Sequence, residues 1–247
     1  MNHSSLPYRI FPLGDAAITI DFGNCIDEAV NREVIARFHQ LQQEPLPGMI
    51  EALPAYSSLT IYYDIVSVHK KIPAQLTLYE WMKEQLEEKM KQTPPQSKTT
   101  SRVIKIPVCY DRAFAMDMPY LASVKNISPD EIIQIHTSKT YKVFMLGFLP
   151  GFAYMGEVDE RIAINRKPQP VNIQAGSVGI AGRQTGIYPL SSPGGWQIIG
   201  RTPLKLFEAS FNPSEGGTSA DHERLTLLKA GDKIQFYSIT KEEFENY

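Results

Sequence analysis

The residues able to do chemistry gather between positions 136 and 201. From Arg161 to Phe207 there is no Asp or Glu, against Arg161, Arg166, Lys167, Arg183, Arg201 and Lys205. The same region holds 10 of the 16 glycines of the chain, between Gly147 and Gly200. Glycine admits positive φ and lets another group come close to the backbone; barrel corners and hairpin turns use it as well. Basic charge, bare backbone and aromatic rings together suit a small anion, a carboxylate or a phosphate, whose oxygens an arginine engages with its fork of N–H donors. An arginine in a Gly/Pro-rich setting is costly to desolvate without an anionic or carbonyl partner. Arg166 and Arg201 are therefore the leading anion-binding candidates.

His136, Tyr154 and Tyr188 are the candidates for moving or donating a proton. Each has a structural alternative: a histidine among isoleucines sits in a core with its ring nitrogens satisfied, and aromatics fill barrels. Gln184 and Thr185, between Gly182 and Gly186, read as a polar loop tip. Ser192-Pro193-Gly194-Gly195-Trp196 is turn chemistry carrying a large ring, which either packs over a ligand or plugs the end of a barrel.

Several engines are missing. There is no G-x-x-x-x-G-K-[ST] and no G-x-G-x-x-G after a strand. Ser177 directly follows Gly176, so the G-x-S-x-G spacing of a nucleophile elbow fails. His3, His39, His69, His136 and His222 form no H-x-x-x-H pair and none has a cysteine beside it, so no metal site or prosthetic group is expected. The site is either unusual or completed by another chain.

The remaining composition bounds the answer. A chain of 247 residues with 43% apolar residues is long enough for two modest domains. A net charge of −2 does not point to nucleic acid or an anionic membrane. The N-terminus lacks the basic start and apolar core of a secretory signal, and no stretch reaches the roughly 18 apolar residues of a membrane helix. Two isolated cysteines, Cys25 and Cys109, fit a reducing cytoplasm without structural disulfides.

The polar, proline-bearing run Gln92–Ser101 reads as a linker between an N-terminal domain, residues 1–91, and a C-terminal domain, residues 102–247. In the first, Ala16–Phe22 and Leu59, Ile61 and Tyr63 alternate as strands do. Ile26, Val30, Val34, Phe38 and Leu41 recur at helical spacing over 27–43. Thr77 and Glu80 form a capping box ahead of a second amphipathic helix marked by Leu78, Met82, Leu86 and Met90. This order predicts an α+β domain, a small sheet with both helices on one face. In the second, Arg102–Cys109 reads as a strand, and Ser128-Pro129-Asp130-Glu131 as a helix start with a capping box. Beyond Thr140, short apolar pieces separated by Gly and Pro predict a mainly β domain, a barrel or sandwich.

Gly147-Phe148-Leu149-Pro150-Gly151-Phe152-Ala153-Tyr154 resembles the G-F-x-P-G-F-x-Y motif of the allophanate hydrolase subunit 1 family. Ala175–Gly182 with Gln184–Pro189 is similar to its next block, and Ser192–Trp196 with Ile199–Pro203 to its last. Pro12–Ala17 and Ile106–Tyr110 match more weakly. The resemblance implies a small α+β domain followed by a cyclophilin-like β-barrel. It implies membership of a bacterial ATP-dependent 5-oxoprolinase, with ATP as co-substrate, which opens 5-oxoproline to glutamate with an allophanate hydrolase subunit 2-like partner and a LamB/YcsF-like third subunit. One branch, which this sequence resembles, is described as inhibiting a sporulation sensor histidine kinase, which gives an alternative reading as a kinase-binding protein. Residue chemistry and the resemblance together lead to an expected site with catalytic roles for His136, Tyr154, Arg166 and Arg201, the arginines stabilising negative charge and His136 or Tyr154 moving a proton. Substrate contacts are expected from Phe148, Phe152, Gln184, Thr185, Tyr188, Ser192, Gly194 and Trp196. The segment before Ala175 departs from the family, which tends to carry Pro-Arg twice there; here Arg166 is kept and the second arginine is missing.

Overall fold

Alternating burial builds the N-terminal sheet. On β4 (Ser58–Tyr63), Leu59, Ile61 and Tyr63 are buried while the residues between them are half-exposed. β4 joins β1 (Arg9–Pro12), β2 (Ala17–Asp21) and β3 (Met49–Pro54) in an antiparallel sheet of order β1-β2-β4-β3. The edge strands β1 and β3 carry a proline each and bury little, which is why sequence periodicity does not announce them. Helix α1 (Glu28–Gln43) starts at Asp27, whose Oδ1 accepts the Ala29 and Val30 N–H groups at 2.7 and 2.9 Å. Ile26 therefore falls outside the helical stripe and is exposed. A one-turn helix α2 (Ile65–His69) precedes α3 (Leu78–Lys91), which opens on the reciprocal Thr77–Glu80 capping box. Val34 and Leu41 of α1 and Met82, Leu86 and Met90 of α3 share one core with β2 and β4, so both helices cover the same face. Arg37 ties them together, donating from α1 to the carbonyls of Lys89 and Gln92 at 3.0 and 2.7 Å.

This description comes from a computed structural model and covers residues 6–94, 102–208 and 225–247. The chain divides into two units, residues 1–100 and 101–247. Residues 95–101 of the expected linker, and His3 and His222, lie outside the described residues.

The second unit is a closed barrel. β5 (Val103–Cys109), β6 (Thr140–Leu146), β7 (Ala153–Gly156), β9 (Ser177–Ala181), β10 (Gln184–Ile187), β12 (Gln197–Arg201) and β13 (Lys233–Ile239) close in the order β10-β7-β6-β13-β5-β12-β9. β5 and β13 pair in parallel and the other neighbours antiparallel. β8 (Val171–Ile173) and β11 (Ser192–Gly194) form a separate two-stranded ribbon. Helices α4 (Met118–Lys125) and α5 (Pro129–Thr137) bury Met118, Leu121, Ile132 and Ile135 in the barrel core, and a short α6 (Lys241–Glu245) ends the chain. At the start of α5, Ser128 Oγ accepts the Glu131 N–H at 3.1 Å, while the Glu131 carboxylate lies 3.9 Å from Arg161. Gln184 and Thr185 are not a loop tip: they begin β10, and Thr185 is fully buried.

A polar chain crosses this apolar interior. His136 is fully buried, with Nδ1 2.8 Å from Tyr110 Oη and Nε2 3.1 Å from Thr185 Oγ1. Thr185 Oγ1 donates to the Gly179 carbonyl at 3.1 Å. Since a carbonyl only accepts, the Thr185 proton is committed and its oxygen accepts from Nε2–H, leaving Nδ1 to accept from Tyr110. Burial pushes the Tyr110 phenol up, which keeps it a donor, and pushes His136 down to about 3, which keeps it neutral. The ring stacks on Phe236 at 4.6 Å. His136 is thus sealed from any substrate with both nitrogens engaged. The expectation that it shuttles a proton in the site gives way to a structural role, joining α5 to β9 and β10.

A histidine held neutral by folding titrates at its ordinary value when unfolded. The unfolded chain binds the extra proton first, so stability falls as pH drops from about 6.5 towards 3, by up to about 1.4 kcal/mol per pH unit from this group. His136→Gln, which keeps a neutral polar side chain, should flatten the acid limb of a denaturant-midpoint profile between pH 6.5 and 4.5. An unchanged slope would reject this origin.

Candidate functional site

The G-F-L-P-G-F stretch is the loop joining β6 to β7, and its hydrogen bonds explain its composition. Leu149 N–H donates to the Gly147 carbonyl at 2.8 Å, a three-residue turn centred on Phe148. Phe148 has φ +69°, the rare and strained form of that turn. Phe152 N–H donates to the Leu149 carbonyl at 3.0 Å around Pro150 and Gly151, whose φ is +80°. Pro followed by a positive-φ Gly is the signature of a type II turn. The two successive turns present the Phe148 ring to solvent, 61% exposed. A bulky residue in the left-handed region costs on the order of 1–3 kcal/mol and such strain concentrates at functional positions.

Behind Phe148 lies a second, smaller apolar cluster, separate from the barrel core: Phe152, Ile173, Ala181, Tyr188, Trp196 and Ile198. Its rings meet edge to face. Phe148 lies 5.7 Å from Phe152 and 6.5 Å from Tyr188, and Phe152 lies 4.8 Å from Tyr154 and 5.3 Å from Trp196. This packing needs bare backbone. A Cβ on Gly194 would stand 2.3 Å from Tyr188 Oη, and one on Gly186 3.0 Å from both Phe152 and Trp196. The Ser-Pro-Gly-Gly-Trp segment is accordingly both turn and wall. Ser192 and Gly194 belong to β11, and Ser192 Oγ is buried with no hydrogen-bond partner among the described residues. Trp196 is buried under the rings.

Arg166 is exposed and lies over the Trp196 ring at 5.8 Å. Among the described residues its guanidinium has no hydrogen-bond or carboxylate partner, and its field reaches both phenols. Burial pushes Tyr154 up while Arg166 pulls it down, and Tyr188 behaves likewise with the Trp196 N–H as the larger counter-effect. Both phenols stay protonated at neutral pH and act as donors. The structure therefore gathers Phe148, Phe152, Tyr154, Arg166, Tyr188 and Trp196.

Arg201 does not join them. It sits at the far end of β12 from Trp196, roughly 16 Å along the strand. There its Nε donates to the Ala175 carbonyl at 2.8 Å and its Nη1 to Gln174 Oε1 at 2.7 Å. The expected pairing of the two arginines on one anion is corrected: Arg201 braces the 174–175 segment. Gln184 starts β10 beside the Gly182–Arg183 turn, and Thr185 faces the interior instead of the rim.

Two residues that sequence reasoning passed over hold the site in place. Asp117 begins α4 but leaves its own helix N–H groups uncapped. Its Oδ2 instead accepts Lys167 Nζ at 2.5 Å and the Ile198 N–H at 2.6 Å. Lys167 also donates to the Trp196 carbonyl at 3.1 Å. Asp117 two residues before Pro119 is a recognisable helix start, but nothing in sequence spacing pairs it with Lys167, 50 positions on.

Truncating Trp196 to Ala should cost about 3–5 kcal/mol, the range for a large buried aromatic. Phe148→Ala should change stability by no more than about 1 kcal/mol, because the lost contacts are few and solvent-exposed. Urea unfolding of the two variants checks both; equal losses would mean that Phe148 is a packing residue.

Among the described residues, no helix is long and apolar enough to cross a membrane, and no group of three or more His, Cys, Asp or Glu could hold a metal ion. Residues 8–215 match the sequence profile of the carboxyltransferase domain, subdomain C and D. The chain is 43% identical over 242 residues to the 5-oxoprolinase B subunit of Bacillus subtilis (strain 168), covering 97% of this chain and 96% of that protein. It is 31% identical over 231 residues to the 5-oxoprolinase B subunit of Escherichia coli O157:H7, covering 92% and 94%. The crystal structure of TTHA0988 superposes with a TM-score of 0.72 at 32% identity over 90% of this chain, which spans only 39% of that longer protein. A closed barrel, a small helix-covered sheet, and likeness along nearly the whole length to proteins of one kind show that this chain belongs to the carboxyltransferase-domain family of subdomains C and D, alongside the 5-oxoprolinase B subunits.

Proposed function

We propose that this chain is the B subunit of an ATP-dependent 5-oxoprolinase that opens 5-oxoproline to glutamate in the cytoplasm. It would work with an allophanate hydrolase subunit 2-like partner and a LamB/YcsF-like third subunit, and be inactive alone. The observation that carries the reading is the 43% identity to a B subunit over 97% of this chain and 96% of that one. The site chemistry supports it. 5-Oxoproline is a flat five-membered lactam bearing one carboxylate. A half-buried aromatic wall suits the ring, and an unpaired arginine suits the carboxylate or the charge that develops during reaction.

Opening the lactam needs activation of its carbonyl. Phosphoryl transfer from ATP to the lactam oxygen releases ADP; water adds at the ring carbon; the C–N bond breaks as nitrogen takes a proton; a second water releases phosphate from the resulting acyl phosphate. Phosphoryl transfer and phosphate release each leave negative charge on a phosphoryl oxygen, which Arg166 stabilises. Tyr154, protonated and beside Arg166, donates a hydrogen bond to that oxygen. Phe148, Phe152, Tyr188 and Trp196 exclude water from one face of the ring, with Ser192, Gly194 and Gln184 at its margin. Arg201 keeps the adjoining 174–175 segment in place. The exposure of Phe148 supports completion of the site by a partner protein.

The test is glutamate release from 5-oxoproline and ATP by the co-expressed subunits, each omitted in turn. Omitting this chain should abolish release, and a complete mixture that releases none overturns the reading. Arg166→Ala should lower turnover about 100-fold or more with an unchanged circular dichroism spectrum, and Arg166→Lys should restore part of it. Wild-type turnover in Arg166→Ala would remove Arg166 from the site.

A further inference from the structure

We infer that the outer face of α4 is a docking surface for a partner protein, which covers it with an amphipathic helix carrying an acidic residue at its edge. Helix α4 is apolar on two faces. Met118 and Leu121 are buried in the barrel core, while Tyr120 and Val124, one helical turn apart on another face, are 54% and 53% exposed. Met116, in the turn leading into the helix, is 57% exposed. A helix that is apolar nearly all round has the composition of a buried one. Exposed apolar side chains grouped in this way mark an interaction surface.

Shape and charge select the occupant. The groove beside α4 has a volume of about 760 Å³, and Ala163, Ile164 and Pro168 line it together with Tyr120 and Val124. A small molecule sinks most of its surface into a concave site; lodged in this groove it leaves Met116, outside the lining, uncovered. Side chains at i and i+4 form the ridge that one helix packs against another, and a helix laid in an apolar groove is a recurrent mode of protein recognition. The charge of the groove is nearly settled from within: Lys167 pairs with Asp117, and Arg183 with Glu157 and Glu160. Outside the candidate site, Lys125 at the end of α4 is the lining cation with no carboxylate partner among the described residues; its Nζ donates to the Glu160 carbonyl at 3.4 Å. One acid on the incoming helix matches it, and the rest of that helix's contact face is apolar.

Two observations favour a protein subunit as that occupant. The 163–168 segment that lines the groove also carries Arg166, so the docking face runs up to the candidate site. TTHA0988, at 32% identity, is matched over only 39% of its length, so more than half of that protein is further polypeptide joined to the same unit. The choice of the allophanate hydrolase subunit 2-like protein as the partner to test rests on the 5-oxoprolinase reading; the surface chemistry does not.

The experiment is isothermal titration of the full chain with that purified partner, beside light scattering of the chain alone. The wild-type chain should form a complex. Tyr120→Ala and Val124→Glu, both surface changes, should each weaken it about tenfold or more while thermal melts stay unchanged. Lys125→Gln should weaken it less, and its deficit should fade at high salt, where the charge contact is screened. Absence of a complex with the wild-type chain, or a complex that neither Tyr120→Ala nor Val124→Glu alters, overturns the inference. Self-association of the chain alone that these two substitutions abolish also overturns it, because the occupant is then a second copy. Lys125→Gln indistinguishable from wild type at every salt concentration rejects the acidic edge. If Val124→Glu keeps both the complex and glutamate release, the docking assignment falls and the enzymatic reading stands. A complex that depends on α4 but releases no glutamate leaves the reverse.

Discussion

Trp196 is the contact on which the candidate site depends. Its ring is packed edge to face by Phe152 and Tyr154 and covered by Arg166, and its carbonyl accepts from Lys167. One residue thus fixes the aromatic wall, the unpaired arginine and the lysine that meets Asp117 at the start of α4. The position is reachable only because Gly186 and Gly194 present bare backbone to the rings. Burying so large a side chain outside the main core is worth several kcal/mol, enough to hold a short two-stranded ribbon that could not stand alone.

Charge is distributed on the same logic. The segment from Arg161 to Phe207 has no acid of its own, yet half of its six cations are matched by carboxylates drawn from elsewhere. Arg161 bonds Asp159, Arg183 bonds Glu157 and Glu160, and Lys167 bonds Asp117. Arg201 uses a carbonyl and an amide instead. What remains at the aromatic wall is Arg166. At the aromatic wall the positive field that the sequence suggests is therefore a focused one, a single guanidinium beside two protonated phenols. An anion arriving there displaces no existing ion pair, which lowers the desolvation cost of binding.

The barrel interior shows why a polar residue in a hydrophobic pattern has two readings. His136 lies at helical spacing with Ile132 and Ile135, and that pattern places it facing inward. Whether an inward histidine is catalytic or structural depends on what meets its nitrogens. Tyr110 comes from beyond β5 and Thr185 from β10, 26 and 49 positions away. With both nitrogens occupied in a dry core, the ring stays neutral and inert. The same packing converts Thr185 from an expected rim residue into an internal one.

Local patterning is enough to establish the class of each unit and the segment that carries the site. Period-two and helical spacings are local, and so are the capping box at Thr77 and the Pro150–Gly151 turn, because they arise from neighbours within a few bonds. The short Gly- and Pro-separated apolar runs announce a β structure without deciding between barrel and sandwich. Closure comes only from long-range pairing, above all the parallel register of β5 with β13, whose partners are 130 positions apart. Site membership is likewise settled by packing. Arg166 and Arg201 look equivalent as sequence, but Arg166 lies over Trp196, just before β12, while Arg201 closes the other end of that strand. Asp117 and Lys167 carry no mutual signal until the fold brings them together. Residue type states what chemistry is available; the packed chain decides which groups stay unpaired and exposed to use it.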